Sequence, residues 1–117
     1  MISATITGNV GKKPELKTTS GGKHMTTFGV ASTFKRKNGE ATTTWVDVTC
    51  FDEAAIEACE RLDRGERVVV TGRLELEKFS RKDGTEGQAL RVLADEVAIS
   101  VRFPKREAAQ SGANEPW

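Results

Sequence analysis

Histidine occurs once, at His24, and cysteine only twice, at Cys50 and Cys59. With no Cys-x-x-Cys spacing and no second histidine, a zinc-type ligand set is not expected. The lone imidazole cannot be paired with a nucleophile, and no glycine-rich phosphate loop is present, so nothing supports catalysis, a metal or a cofactor. Glu75 and Glu77 lie two apart on a strand and read as solvent-side patterning. No apolar run approaches a membrane span. Met1-Ile2-Ser3-Ala4-Thr5-Ile6 alternates like a strand where a secretory leader would be basic and then apolar. A cytoplasmic chain with reduced, buried thiols is the expectation. Cys50 shares strand parity with Val46 and Val48, and Cys59 falls on a helical stripe with Ala55, Ile56 and Leu62. A disulfide would need oxidising conditions and a geometry that spacing does not reveal.

A large charge of one sign is also lacking: 18 Lys/Arg against 17 Asp/Glu leave +1 over 117 residues. The sum argues against a nucleic-acid partner; the distribution argues for one. Residues 1–38 hold seven Lys/Arg against Glu15, a balance of +6, and residues 39–66 hold two Arg against eight acids, a balance of −6. Residues 67–82 return to five against two, or +3. Segregated charge builds a local attractive field even when the total is near zero.

What is present is a repeated hexapeptide. Phe34-Lys35-Arg36-Lys37-Asn38-Gly39 and Phe79-Ser80-Arg81-Lys82-Asp83-Gly84 each follow an alternating stretch and end in a turn-forming Asn-Gly or Asp-Gly pair. Each reads as a hairpin tip carrying one aromatic ring and a knot of cations. A ring for a base and cations for phosphates are what a single-stranded nucleic-acid groove requires.

The chain length suits one domain with a core of its own. Alternation places strands over 2–10, 25–34, 42–51, 67–79 and 88–101, with Pro14-Glu15-Leu16-Lys17 as a short extended piece. A helix follows the third strand, with Asp52 as N-cap, a run to about Asp63, and Gly65 at the left-handed position that ends it. Gly72 suggests a bend. The apolar parity of the last strand switches between Leu90/Val92 and Val97/Ile99/Val101, which predicts a bulge near Asp95. Five strands with one helix between the third and fourth is the order of an all-β, five-stranded OB-fold barrel, and the hexapeptides occupy its extended 2–3 and 4–5 hairpins. The domain is expected over residues 1–103, with a polar, disordered tail over 104–117.

In Trp45-Val46-Asp47-Val48-Thr49-Cys50-Phe51 the even positions are small and apolar, and the odd positions mix aromatic with polar. Period-2 geometry sends the sets to opposite faces, making Val46, Val48 and Cys50 core and Trp45 and Phe51 a binding surface. Phe34 and Phe79 extend that face into a four-ring stacking track, while Phe28, in core parity, and Phe103, against the tail, are assigned to packing. Candidate phosphate contacts are Lys12, Lys13, Lys17 and Lys23; Lys35, Arg36 and Lys37; and Arg73, Lys78, Arg81 and Lys82. Glu77, two residues before Phe79, leaves the second arm less cationic, so the Phe34 arm is expected to be the stronger.

Four segments, in order, resemble those of bacterial single-stranded DNA-binding proteins: Gly8-Asn9-Val10-Gly11-Lys12-Lys13-Pro14-Glu15-Leu16-Lys17, then Ser20-Gly21-Gly22 followed by Phe28-Gly29-Val30-Ala31. The third is Trp45 spaced six from Phe51, and the fourth runs from Leu62-Asp63-Arg64-Gly65 through Gly72-Arg73-Leu74. The resemblance covers roughly residues 2–101. It implies an OB-fold homotetramer, bacterial and nucleoid-associated, that wraps single-stranded DNA in replication, recombination and repair. Trp45 and Phe51 would then stack on bases, and Phe34 and Phe79 stand where the family often has tryptophan. Three features depart from the family pattern: Asp52-Glu53 where a basic residue is common, Glu75 and Glu77 where arginine is common, and the tail. The family's acidic, Pro-Phe-tipped end recruits enzymes; here the end is Asn114-Glu115-Pro116-Trp117 with one acid. Weak or absent recruitment of replication and repair proteins is expected, as in a short-tailed second copy. Two other readings of the same face stay open: an RNA-preferring OB-fold, and a primosome-like protein-interaction module.

Overall fold

The computed structural model describes residues 1–101. The expected tail from Pro104, the position of Phe103, and the terminal Glu115-Pro116-Trp117 lie outside the described residues. The elements are β1 (Ile2–Val10), β2 (Lys17–Thr18), β3 (His24–Lys35), β4 (Ala41–Phe51), α1 (Asp52–Arg61), β5 (Arg67–Ser80) and β6 (Glu86–Ile99). The two-residue β2 is the short extended piece, and the other five strands are those the alternation predicts.

These five strands form a ring. Their order is β1-β5-β6-β4-β3, and β1 then pairs with β3 through Asn9↔Ala31 and Val10↔Val30. All neighbours are antiparallel except β4 and β6, which run parallel from Val46↔Leu90 to Thr49↔Leu93. This is the OB arrangement. Gly8 makes the closure possible: its Cα faces the Ala31 carbonyl so closely that a β-carbon would collide with it. Inside the ring, Val10, Phe28, Val30, Val46, Val48, Cys50, Val68, Val70 and Val92 are buried, and Ala55, Ala58 and Leu62 add to the same core. β-branched residues dominate because they fit a pleated, half-buried surface. α1 packs on β3 and β4. Thr26, buried among these, donates from Oγ1 to the Glu15 carbonyl at 2.7 Å and ties the 11–16 segment to β3.

The bulge falls where the parity switch puts it. Thr71 pairs with Glu96 and Gly72 with Ala94, so Asp95 is the extra residue. Inward parity passes from Leu90, Val92 and Ala94 to Val97 and Ile99.

Both ends of α1 differ from expectation. The N-cap is Phe51, without a side-chain cap, and Asp52 is already helical with φ of 57°. No loop separates β4 from α1, so the chain must reverse direction within one residue. Aspartate tolerates the left-handed conformation better than most residues do, and its carboxylate is not used as a cap. The helix stops at Arg61 with Leu62 as C-cap. Gly65 is left-handed (φ 89°) but serves the next turn, where Glu66 N–H donates to the Asp63 carbonyl at 3.1 Å. Leu62 leaves the helix because its side chain is drawn into the core. Leu76 shares inward parity with Leu74 but is exposed, since it lies beyond the end of the core.

Deleting Asp95 should leave Val97 and Ile99 inward in an unbulged ladder and change stability in urea unfolding by less than about 1 kcal/mol, whereas deleting Asp95 and Glu96 together should turn both outward and lower it by about 2–4 kcal/mol. Burial, with Cys59 nearby, pushes the Cys50 thiol up from 9.0 to about 11. The folded state thus holds the Cys50 proton more tightly than the unfolded chain does. Stability should fall by on the order of 2 kcal/mol as pH rises from 9 to 11, and Cys50→Ala should remove that decline from a lower baseline.

Candidate nucleic-acid interface

Ladder register fixes which side chains share the outer face of β3, β4, β6 and β5. Four rows cross it: Thr33–Thr43; Gly29–Asp47–Arg91–Glu75; Thr27–Thr49–Leu93–Arg73; and Lys17–Met25–Phe51. Trp45 stands beside Ala31 between the first two rows, with Ala89 and Glu77 paired across β6 and β5. Threonine hydroxyls meet at 3.0 Å in both the Thr27–Thr49 and the Thr33–Thr43 pairs, stiffening the surface either side of the tryptophan.

Trp45 lies flat on glycine. A β-carbon at Gly11 would stand 2.6 Å from the ring's Cζ3, and one at Gly29 would stand 3.4 Å from Cε3. Phe79 lies on Gly87 in the same way, with no room for a β-carbon between them. These platforms leave the rings open to solvent: Trp45 is 58% exposed, Phe51 40%, Phe79 42% and Phe34 64%. Trp45, Phe51 and Phe79 share the outer parity. Phe34 does not. It pairs with Thr42 and belongs to the parity of Phe28 and Val30, continued beyond the core into the β3–β4 arm. The track is therefore three rings on one face and a fourth on the other side of that arm. Between the arms, where the β4–β6 ladder ends, a cleft of about 390 Å³ is lined by residues of both parities, including Trp45, Leu76 and Gln88.

The twin hexapeptides form matching turns. Arg36 N–H donates to the Glu40 carbonyl and Arg81 N–H to the Thr85 carbonyl, both at 2.7 Å; Gly39 and Gly84 close the turns at φ of 92° and 89°. Each loop is longer than a two-residue turn, and glycine supplies its left-handed residue. In each arm the arginine folds back over the ring two residues earlier, with Arg36 Cζ 5.8 Å from the Phe34 centroid and Arg81 Cζ 5.4 Å from that of Phe79. Arg81 is held further, donating to the Glu86 carbonyl at 2.7 Å. Hydrogen bonds from Thr85 hold the Asp83 carboxyl below its usual range.

The candidate cations are dispersed among several settings. Lys17, Lys35 and Arg73 share the outer parity, and Lys37 and Lys82 occupy the turn tips. Lys23 lies in the exposed turn after β2, and Lys12 is exposed near Glu15 at 3.9 Å. Lys78 points to the opposite parity from Phe79. Lys13 is occupied elsewhere: its Nζ donates to the carbonyls of Cys59 and Leu62, each at 3.1 Å, at the C-terminal end of α1. A cation there also suits the negative end of the helix dipole. Arg91 is the functional candidate that sequence reasoning passed over. Its alternation with Leu90 and Val92 signals an outward side chain, but only register places it at the centre of this face. Its Nε lies 2.6 Å from Glu77 Oε2.

Known proteins resemble this chain over most of its length. The model of the single-strand binding protein family matches residues 1–100. A single-stranded DNA-binding protein of Mycobacterium leprae is 38% identical over 109 residues, covering 85% of this chain and 62% of that protein. The protein of the same name from Mycolicibacterium smegmatis is 38% identical over 109 residues, at 85% and 64%. That of Corynebacterium glutamicum is 34% identical over 110 residues, at 88% and 48%. The chain thus spans less than two thirds of the length of these relatives. The crystal structure of a small single-stranded DNA-binding protein from Streptomyces coelicolor superposes with a TM-score of 0.69 at 22% identity, covering 86% of this chain and 95% of that one, and shares the fold.

Because Gly11 sits under the indole, Gly11→Ala should push the Trp45 ring off its seat. In a Trp117→Phe background, acrylamide quenching of the remaining emission should rise by about 1.5-fold or more, at a stability cost of about 1 kcal/mol from the lost ring contact.

Proposed function

The chain belongs to the single-strand binding protein family, and from that premise we propose that it binds and protects single-stranded DNA without sequence preference. The observation that carries the reading is the Trp45 ring, laid on Gly11 and Gly29 and open to solvent on the face it shares with Phe51 and Phe79. Stacking contributes about 1–3 kcal/mol per base and accepts every base, because each has a π-face. The strand runs past Phe51 and Trp45, enters the cleft between the arms, and reaches Phe79 on one side and Phe34 on the other. Crossing that cleft gives Phe34 a place in the path despite its parity. Lys17, Lys35 and Arg73, the turn cations Arg36, Lys37, Arg81 and Lys82, and the exposed Lys12 and Lys23 contact phosphates. Lys13 and Lys78 are set outside the path, the first by its helix carbonyls and the second by its parity.

The activity is binding, with no catalytic step. A homotetramer in the bacterial cytoplasm, associated with the nucleoid and serving replication, recombination or repair, completes the proposal. Among the described residues no helix is long and apolar enough to cross a membrane.

Saturating oligo(dT) at low salt should quench Trp45 emission and leave Trp117 nearly unaffected, read from Trp117→Phe and Trp45→Phe variants respectively. Phe34→Ala with Phe79→Ala should weaken binding by about 10-fold or more, equally for dT, dC and dA oligomers. Trp45 emission that ignores the oligonucleotide would refute the stacking face. Preference for a matched RNA would redirect the reading to RNA.

A further inference from the structure

We infer that Arg91 is a phosphate-contact residue held by Glu77 until nucleic acid displaces it, so that one anion is exchanged for another at the centre of the face. The inference rests on the binding reading above and adds a residue and a regulatory step to it. Three observations support it. Arg91 lies in the row Gly29–Asp47–Arg91–Glu75, between the levels of Trp45 and Thr49, directly in the path of a strand running along β4. Its Nε is 2.6 Å from Glu77 Oε2, and the two side chains are 46% and 50% exposed, so the pair is open to solvent and to a competing anion. Beside it, a cleft of about 180 Å³ is lined by Thr49, Arg73, Glu75, Arg91, Val92 and Leu93, which brings a second guanidinium to the same space.

A carboxylate on Nε engages one of the five guanidinium donors, and the planar fork as a whole matches phosphate geometry. Exposed ion pairs of this kind are weak, so exchange with a phosphate is feasible. The exchange has a distinctive salt signature. An arginine already neutralised by its own protein's carboxylate adds little to the ion release that accompanies binding. Freed of that carboxylate, it adds a slope of about −0.7 per phosphate neutralised on a single strand. Asp47 and Glu75 flank Arg91 in register, but Glu77, opposite Ala89, is the carboxylate on its Nε, and it therefore sets how much this part of the face contributes.

The test is a double-mutant cycle with oligo(dT) across a salt series, using the full chain and Glu77→Gln, Arg91→Gln and the combined variant. Glu77→Gln should tighten binding by about three- to tenfold at low salt and steepen the log–log salt slope by about 0.7. In the Arg91→Gln background the same change should give less than about twofold and leave the slope unaltered. Arg91→Lys, which keeps charge without the fork, should preserve the slope change with a smaller gain in affinity. Urea midpoints equal to wild type separate these effects from folding. A gain from Glu77→Gln that is the same with and without Arg91 would overturn the assignment, leaving Glu77 as a simple repulsive charge while DNA binding stands. Wild-type protein that binds no oligo(dT) would overturn the binding reading and this inference together.

Discussion

Every second side chain of β4 must leave the core, because successive residues of a strand point to opposite sides. The remaining half, Val46, Val48 and Cys50, is fully committed to the interior. That commitment fixes the register of β3 and β6 against β4, since a slip of one residue would exchange the two sets. The outward set of Trp45, Asp47, Thr49 and Phe51 is thereby placed in a fixed relation to Gly29, Arg91 and Glu75. The binding surface is in this sense a by-product of core packing. Its outward side chains are placed by the same register that packs the core beneath them.

Rings and charges contribute on different scales. A stacked base is worth about 1–3 kcal/mol, whereas an exposed ion pair is worth about 0–1 kcal/mol. A face carrying Asp47, Glu75 and Glu77 can therefore still favour a polyanion, provided its aromatic surfaces are open and its cations lie close by. In the proposed binding mode the acids would grade the strength of binding and its response to salt, and the aromatics would decide whether it occurs. The arginines near Phe34 and Phe79, with Cζ 5.8 and 5.4 Å from the ring centroids, bring charge to the same places as the rings.

Much of this was legible in the sequence because β-structure writes its faces as a period of two. The Asp95 bulge is visible as a switch in apolar parity, the two turns as Asn-Gly and Asp-Gly, and the β4 surface as aromatic residues out of phase with valines. What was not legible depends on tertiary position. Phe34 sits beside a knot of cations but counts an odd number of residues from Trp45 across the hairpin, and register puts it on the other parity. Lys13 reads like any loop lysine until α1 presents its last carbonyls. Gly65 resembles a helix terminator, yet Leu62 turns into the core first. Arg91 looks like one more outward charge, and only the parallel β4–β6 pairing centres it. The glycines under Trp45 and Phe79 carry no sign in sequence that a ring rests on them.

The two arms leave the ring where Val46 and Leu90 make their last parallel pair, and each is closed by bonds confined to its own few residues, Arg36 to Glu40 and Arg81 to Thr85. Among the described residues, no hydrogen bond from either turn reaches back to the barrel. Residues added or removed in pairs along an arm would lengthen or shorten it while preserving parity at its base. Reach of the arms and integrity of the domain are thus separate variables in this architecture. Arm length can change in steps of two residues without altering a single core contact.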